Sequence, residues 1–510
     1  MNPHKTVKRK PNAWRIRTPN LVRVAAFFGT LPGILFLSGC VAPTRAAKPA
    51  ITPPPSWNSA GAEAGKSPSG DLSEWWKQFG DHDLSDLIGR ALKNNTSLRS
   101  AGARLREARA QRNLAAANLR PSLTASPSST GEKSSPANAS TNVFSAALDA
   151  SWEPDVFGSG HSSLRAATAD LATSVGDLEN TQVSLVAEVA SDYVALRSYQ
   201  ARLEIANRNE ASQSQTLQLT QWRAQAGLVS SIDVEQARSN FEQTRASIPS
   251  LETSAAESEH RLSILLGLNP GALQQQLAAP APIPSVPDTV AVGIPADTLR
   301  QRPDVRAAEQ KIVAETARLR VQEAARYPSF SLSGSFGIEQ LLTGTSSAGV
   351  TAGSTVAALA GATTILASAT GSITQTLFDG GRIRSQIESQ NAVQEQAVVS
   401  YEATVLTALE DVENALVSLR KNRERLAALN QAAESARNAA VLAQNRYTAG
   451  LIDFQTVLDT ERTALTIEDS VAQTQADRAT ALIQLYKALG GGWSPATVTV
   501  SSSGTQGNRS

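Results

Sequence analysis

Few side chains in this 510-residue chain are placed to do chemistry. Cys40 is the only cysteine, so no internal disulfide can form. A lone cysteine is ordinarily a small buried hydrophobe or a spare thiol. The four histidines, His4, His82, His161 and His260, lie far apart in the chain. No metal-ligand spacing, phosphate-binding loop or nucleophile elbow occurs. Asp459 and Arg462 are spaced i, i+3 and share one helix face. On a lone chain they form a surface ion pair worth under about 1 kcal/mol. An enzyme has little to stand on here, and no cofactor or metal is expected.

The setting of Cys40 gives it another role. Residues 1–39 hold seven Lys and Arg and no acid, then an apolar stretch from Val24 to Leu37. Gly29, Pro32 and Gly33 interrupt that stretch, and it is short for a bilayer span. This reads as a secretory signal peptide. It ends Leu37-Ser38-Gly39-Cys40, which resembles a bacterial lipobox, in which the cysteine becomes the lipidated first residue. Val41 follows instead of an aspartate, which favours the outer membrane. Several acyl chains anchor stably where one does not. Without the leader, the 47 basic residues fall to 40 against 46 acids, a net −6. No basic patch interleaved with aromatics points to nucleic acid.

The elements that must position anything else are written twice. Ala226-Gly227-Leu228-Val229 recurs as Ala449-Gly450-Leu451-Ile452, and Leu98-Arg99-Ser100-Ala101 matches Val305-Arg306-Ala307-Ala308. A repeat of some 200 residues is too long for a solenoid unit and indicates two fused copies of one half. The divisions read as signal peptide 1–39; anchor, tether and N-terminal segment 40–83; first repeat 84–280; linker 281–295; second repeat 296–493; tail 494–510. Residues 41–70, rich in Pro, Ala, Ser and Gly, read as a flexible tether.

In each repeat a very long helix is expected, from about His161 to Ala226 and from about Arg382 to Ala449. Roughly 65 residues at about 1.5 Å each make some 100 Å. Val405, Leu409, Val412, Leu416 and Leu419 step by four and three, as a narrow coiled-coil seam does. Such helices can tile into a wall with two wet faces. Shorter helices, about Ser231–Leu268 and Phe454–Leu489, return after the Ala-Gly-Leu turns. Pro249 is expected to kink the first of these. Two more, about Leu84–Asn118 and Ala296–Arg326, precede the strands.

The strands alternate. Phe144, Ala146, Leu148, Ala150 and Trp152 share one face, as do Phe330, Leu332, Gly334, Phe336 and Ile338. Serines fill the other face. Two weaker strands are expected near Ser122–Ser126 and Thr370–Phe378. Hairpin loops are expected at Gly131–Thr141 and Gln340–Ala369, the second being either a disordered loop or a lengthening of its strands. This is the pattern of transmembrane β-strands, although a half-exposed soluble sheet alternates too. Four strands leave two bare edges, which lipid does not tolerate. Several chains closing together would put the wet faces inside. Two chains give eight strands and a filled interior, so more than two are expected.

Residues throughout the mature chain carry a family resemblance. They include Trp75-Trp76 with Phe79, Arg302-Pro303-Asp304-Val305-Arg306, Tyr327-Pro328-Ser329, Phe378-Asp379-Gly380-Gly381-Arg382, Arg446-Tyr447 and Leu485-Tyr486-Lys487-Ala488-Leu489-Gly490. The ordered set resembles TolC-like outer-membrane efflux factors of the OprM/NodT lipoprotein branch. The resemblance implies a homotrimer with a twelve-stranded barrel and a twelve-helix periplasmic tunnel. It implies a periplasmic adaptor and an inner-membrane pump, usually a proton-driven multidrug exporter of the RND type. It also implies that Gly227, Leu228, Gly450 and Leu451 dock the adaptor, although they also read as plain helix caps. Asp459 and Arg462 resemble the family's constriction residues; threefold symmetry would gather three Asp459 into a ring. The first repeat has Gln236 and Ser239 there, so the gate belongs to the second repeat. Two rival readings are a duct for protein secretion or heavy-metal export, and a lipid-anchored structural coiled coil without a pore.

Overall fold

A computed structural model of the chain describes residues 51–59, 72–134, 139–287, 295–345 and 360–493. The signal peptide, Cys40, most of the tether and the tail 494–510 lie outside the described residues. A 3-10 helix, Leu72–Phe79, is followed by α1 (His82–Asn94), α2 (Thr96–Ala117), β1 (Ser122–Ser134) and β2 (Ala139–Trp152). Next come α3 (Ser159–Gln225), α4 (Ser231–Leu265) and the single turn α5 (Gln274–Leu277). The second half is α6 (Pro295–Gln301), α7 (Pro303–Ala324), β3 (Ser329–Thr345), β4 (Ala360–Thr374), α8 (Arg382–Thr448) and α9 (Phe454–Ala488).

The duplication reaches the element boundaries. Adding 207 to the bounds of α2 gives those of α7, and adding 223 to α3 and α4 gives α8 and α9. The second hairpin absorbs the 16-residue difference. α3 and α8 are both 67 residues long with no break. Each packs beside a 22-residue and a 35-residue helix of its own repeat or the other.

Several expected bounds are corrected. The expected helix Leu84–Asn118 is two helices, broken at Asn95. The Asn95 Oδ1 accepts from Leu98 N at 2.9 Å and caps α2, while its backbone N–H closes α1 on Ala91 O. The expected helix Ala296–Arg326 breaks likewise at Arg302, because Pro303 at N1 starts α7 anew. Pro249 does not interrupt α4, which runs through it. The tether is tied down at one point. Trp57 is 4% exposed, and Asn58 N and Ser59 N donate to Glu413 at 2.7 and 3.1 Å.

The largest core lies where α1, α3, α4 and α9 meet. Trp75 stacks on Tyr486 with ring centroids 5.2 Å apart, among Leu84, Ile88, Val189 and Leu482. Burial pushes the Tyr486 phenol up to about 12. Elsewhere α8 buries mostly alanine and α3 mostly small or polar residues such as Ala169, Gly176, Ser198, Thr216 and Thr220.

Candidate functional site

The four strands form one antiparallel sheet in the order β1-β2-β3-β4, with β1 and β4 as edges. Cross-strand partners share a face, so the register joins the apolar positions into a continuous band. Leu148 faces Phe336, Trp152 faces Leu332, and Ile338 faces Ile365. Leu123, Phe336, Ile365 and Ile373 on this face are 58–69% exposed. The opposite face is a lattice of hydroxyls. Ser122 and Ser151, Ser128 and Ser145, and Ser331 and Ser372 pair at 2.6–2.8 Å, and Ser126 donates to Asp149 at 2.5 Å. A sheet with this apolar face bare to water would be costly. The second hairpin's strands run into the expected loop, to Thr345 and from Ala360. β4 ends at Thr374, not near Phe378. Gln375 leaves the ladder and donates to Arg326 O at 3.1 Å. Leu377 and Phe378, beyond the strand, are over 90% exposed.

At the far end of the long helices stand the two turns singled out in the sequence. Gly227 and Gly450 have φ of +70° and +74°, the left-handed conformation that closes a helix. Leu228 N donates to Arg223 O and Leu451 N to Arg446 O, both at 2.9 Å. Leu228 and Leu451 are 68% and 72% exposed. The turns are therefore helix caps that each present one apolar side chain. Arg223 links them. It donates from Nη1 to Tyr447 O at 2.5 Å and lies 4.5 Å over the Tyr447 ring.

Asp459 is exposed on α9 and accepts from Gln455 Nε2 at 3.0 Å. Arg462 donates from Nε to Asn240 Oδ1 on α4 at 2.8 Å. No ion pair joins Asp459 to Arg462 among the described residues. Sequence reasoning missed the carboxylate between them. Glu461 is 7% exposed and accepts from Thr216 Oγ1 at 3.1 Å, while its Oε2 has no hydrogen-bond partner. Burial raises its pKa, against the effect of the Thr216 bond. The signal was legible. Phe454, Val457, Leu458, Glu461 and Ala464 share the buried face of α9, and only Glu461 among them is charged.

The comparisons with known proteins agree with this geometry. The family model described as outer membrane efflux protein matches residues 87–268 and 294–491, one match in each repeat. The pyoverdine export outer membrane protein OpmQ of Pseudomonas aeruginosa is 31% identical over 90% of this chain and 95% of its own. Nodulation protein T of Rhizobium leguminosarum bv. trifolii is 30% identical over 90% and 96%. The solved structure of the outer-membrane channel OprN superposes with a TM-score of 0.76 at 34% identity, over 88% of this chain and all of that one. The chain belongs to the outer membrane efflux protein family, and it is an outer-membrane channel of an efflux system.

Proposed function

We propose that three copies close into one duct, a twelve-stranded barrel in the outer membrane continued by twelve helices in the periplasm. The observation that carries this is the four-stranded sheet with a bare apolar face and two unpaired edges. An unpaired backbone group in hydrocarbon costs several kcal/mol, so the edges must pair with other copies. Closure turns the serine face inward and gives a wet lumen. Eight strands would leave an interior filled by side chains; twelve leave a passage. The duct carries drugs or other small molecules delivered by an inner-membrane pump of the RND type through a periplasmic adaptor. It does no catalysis; the pump supplies the energy and selects the cargo. Cys40 carries the lipid that fastens each copy to the outer membrane.

The Ala-Gly-Leu turns are the adaptor's contacts, because Leu228 and Leu451 offer compact apolar knobs at the helix tips. Asp459 and Arg462 form the gate near those tips. Three Asp459 carboxylates at a constriction attract cations and narrow the opening. Arg462 holds α9 to α4 through Asn240, which keeps the tips together.

The test is single-channel recording in planar bilayers alongside native mass spectrometry. The intact protein should run as a trimer with small conductance. The double variant Asp459→Ala, Arg462→Ala should conduct more. A monomer that passes no current ends the duct reading; a conducting trimer unaffected by the double variant ends only the gate assignment.

A further inference from the structure

A groove of about 730 Å³ runs between α3, α4 and the α5 segment. That volume is in the range of sites that hold small molecules. Its apolar walls are Leu196 and Leu203 on α3, Ala255 and Ala256 on α4, and Leu277 with Pro280 on the α5 segment. The α5 wall is tied to α3. Gln200 Nε2 donates to Leu277 O at 2.7 Å. Arg197 Nη1 donates to Ala279 O at 2.9 Å and to Gln200 Oε1 at 2.8 Å. Arg197 itself is 1% exposed, so the groove stands preformed on buried hydrogen bonds.

One lining group is out of place in a plain helix pair. Glu259 on α4 is 8% exposed, and its Oε1 accepts no hydrogen bond among the described residues. A carboxylate buried without a partner is costly, and a cation relieves that cost. The neighbouring guanidinium groups are engaged elsewhere. Arg197 pairs with Asp83 at 3.2 Å, Arg202 with Asp469 at 2.7 Å, and Arg261 with Asp192 at 3.0 Å. Glu204 and Glu252 also line the groove, both exposed. Against these three carboxylates the lining carries one cation, Arg208. The second repeat lacks the feature. The repeat shift carries Glu259 onto Leu482, which is wholly buried in the core, Glu204 onto Ala427 and Glu252 onto Gln475. Packing of the two long antiparallel helices therefore does not require the carboxylates.

We infer that this groove binds a small organic cation with an apolar body, such as an aryl-alkyl amine. The ammonium group donates to Glu259 Oε1, and the body lies against Leu203, Ala256 and Leu277. The exposed carboxylates of Glu204 and Glu252 draw the positive charge in. A metal ion fits the groove less well, because among the described residues no three His, Cys, Asp or Glu side chains are grouped as ligands. The groove is built within one copy, so it owes nothing to ring closure. It shares no residue with the turns at the tips or with the gate. A bound cation would tie α4 to the α5 segment.

The test uses the full-length protein in nanodiscs of zwitterionic lipid, with empty nanodiscs as the blank. The probe is naphthylethylamine, and naphthylethanol is its uncharged match. Equilibrium dialysis should find saturable binding of the amine, about tenfold or more tighter than the alcohol. Glu259→Gln keeps the shape and should weaken the amine about tenfold or more while leaving the alcohol unchanged. Ala256→Trp, at an exposed position, should fill the groove and abolish binding of both. Glu257→Gln, on α4 but outside the groove, should change nothing. Thermal midpoints give a second readout: the amine should raise that of the parent and not that of Glu259→Gln. Absence of saturable amine binding, or an alcohol that binds as tightly, overturns the site. So does a Glu259→Gln variant that binds like the parent. An equal loss in Glu257→Gln also overturns it, by showing a diffuse surface charge effect. Trimer formation and conductance are read separately, so a failure here leaves the duct reading standing.

Discussion

The joints where α4 meets α2 and α9 meets α7 share a backbone and differ in chemistry. In each, a return helix (α4 or α9) ends where the helix before the strands (α2 or α7) begins, and the residue at that helix's N-cap position reaches back to the return helix's last turn. In the first repeat Asn95 Nδ2 donates to Leu265 O at 2.8 Å. In the second Arg302 Nη1 donates to Ala488 O at 3.0 Å, and residues 265 and 488 are counterparts under the repeat shift. Asn95 serves with one amide, its oxygen capping α2 and its nitrogen satisfying the carbonyl. Arg302 has no acceptor and cannot cap. Pro303 removes one orphan N–H, and Asp304 Oδ1 accepts from Val305 N at 2.8 Å. The guanidinium is then free to grip Asp304 and Asp411 at 2.7 and 3.2 Å. Burial works against its charge, yet those carboxylates hold its pKa above the ordinary value. Duplication therefore preserved a need, a donor at one point in space, and left the residue type open. The second joint gained a tie to α8 that the first lacks.

Breaking the stronger joint should cost most. Arg302→Ala leaves a helix-end carbonyl without its donor and two carboxylates without their cation. Removing one partner of a buried pair costs about 3–5 kcal/mol, and the exposure of Asp411 puts the loss near about 3. Thermal denaturation by circular dichroism in detergent reads this directly. A loss below about 1 kcal/mol would show that water replaces the guanidinium. Arg302→Lys should recover part of it, since lysine cannot hold two carboxylates and a carbonyl in one plane.

The glycine that ends each return helix sharpens the contrast. Gly267 and Gly490 both have positive φ, so alanine costs about 1–2 kcal/mol at either from the backbone alone. A Cβ on Gly267 would also lie 2.8 Å from Asn94 O, while on Gly490 the nearest atom is Arg302 Cα at 3.2 Å. Gly267→Ala should therefore destabilise by about 2–3 kcal/mol, more than Gly490→Ala. Equal losses would mean that the first joint yields as easily as the second. Asn95→Ala should cost less, about 1–2 kcal/mol, for one cap and one hydrogen bond. Asn95→Asp keeps the cap and loses the donor, so it should fall between Asn95→Ala and the parent chain.

These joints mark the limit of what sequence periodicity revealed. The long helices and the alternating strands were legible because their patterns run for many residues. The breaks at Asn95 and Arg302 were harder to see, because the apolar pattern runs on through both, although Pro303 is a local helix-start signal. Asn94-Asn95-Thr96-Ser97 carried a local capping signal that the apolar pattern around it obscured. The extent of β3 and β4 was hidden for another reason. Gly, Ala and Ser beyond Gln340 do not favour strands, and the ladder with the neighbouring strand recruits them. At the tips, Gly227 and Gly450 were legible as turns. The Arg223 link between them required a pairing of the two repeats that spacing alone does not give.

The smallest expected effect separates the repeats near those tips. Glu461 and its first-repeat counterpart Arg238 occupy equivalent positions with opposite charge. Arg238 is 52% exposed and pairs with Glu235 on the same helix. Glu461 is buried against Thr216 with one oxygen unmatched. Its pKa in the folded chain is raised above the ordinary 4.5, chiefly by burial. The folded state therefore holds its proton more tightly than the unfolded chain does. That contribution is fully present below about pH 4.5 and is lost as pH rises through the folded-state value. Glu461→Gln never ionises and keeps an oxygen to accept from Thr216. It should match the parent at pH 4 and exceed it at pH 7. Arg238→Gln should show no such pH-dependent difference. Thermal midpoints of both variants at the two pH values decide the matter. A gain for Glu461→Gln that is the same at pH 4 and pH 7 would mean that its ionisation costs the fold nothing, and that packing alone sets the difference between the two repeats at this position.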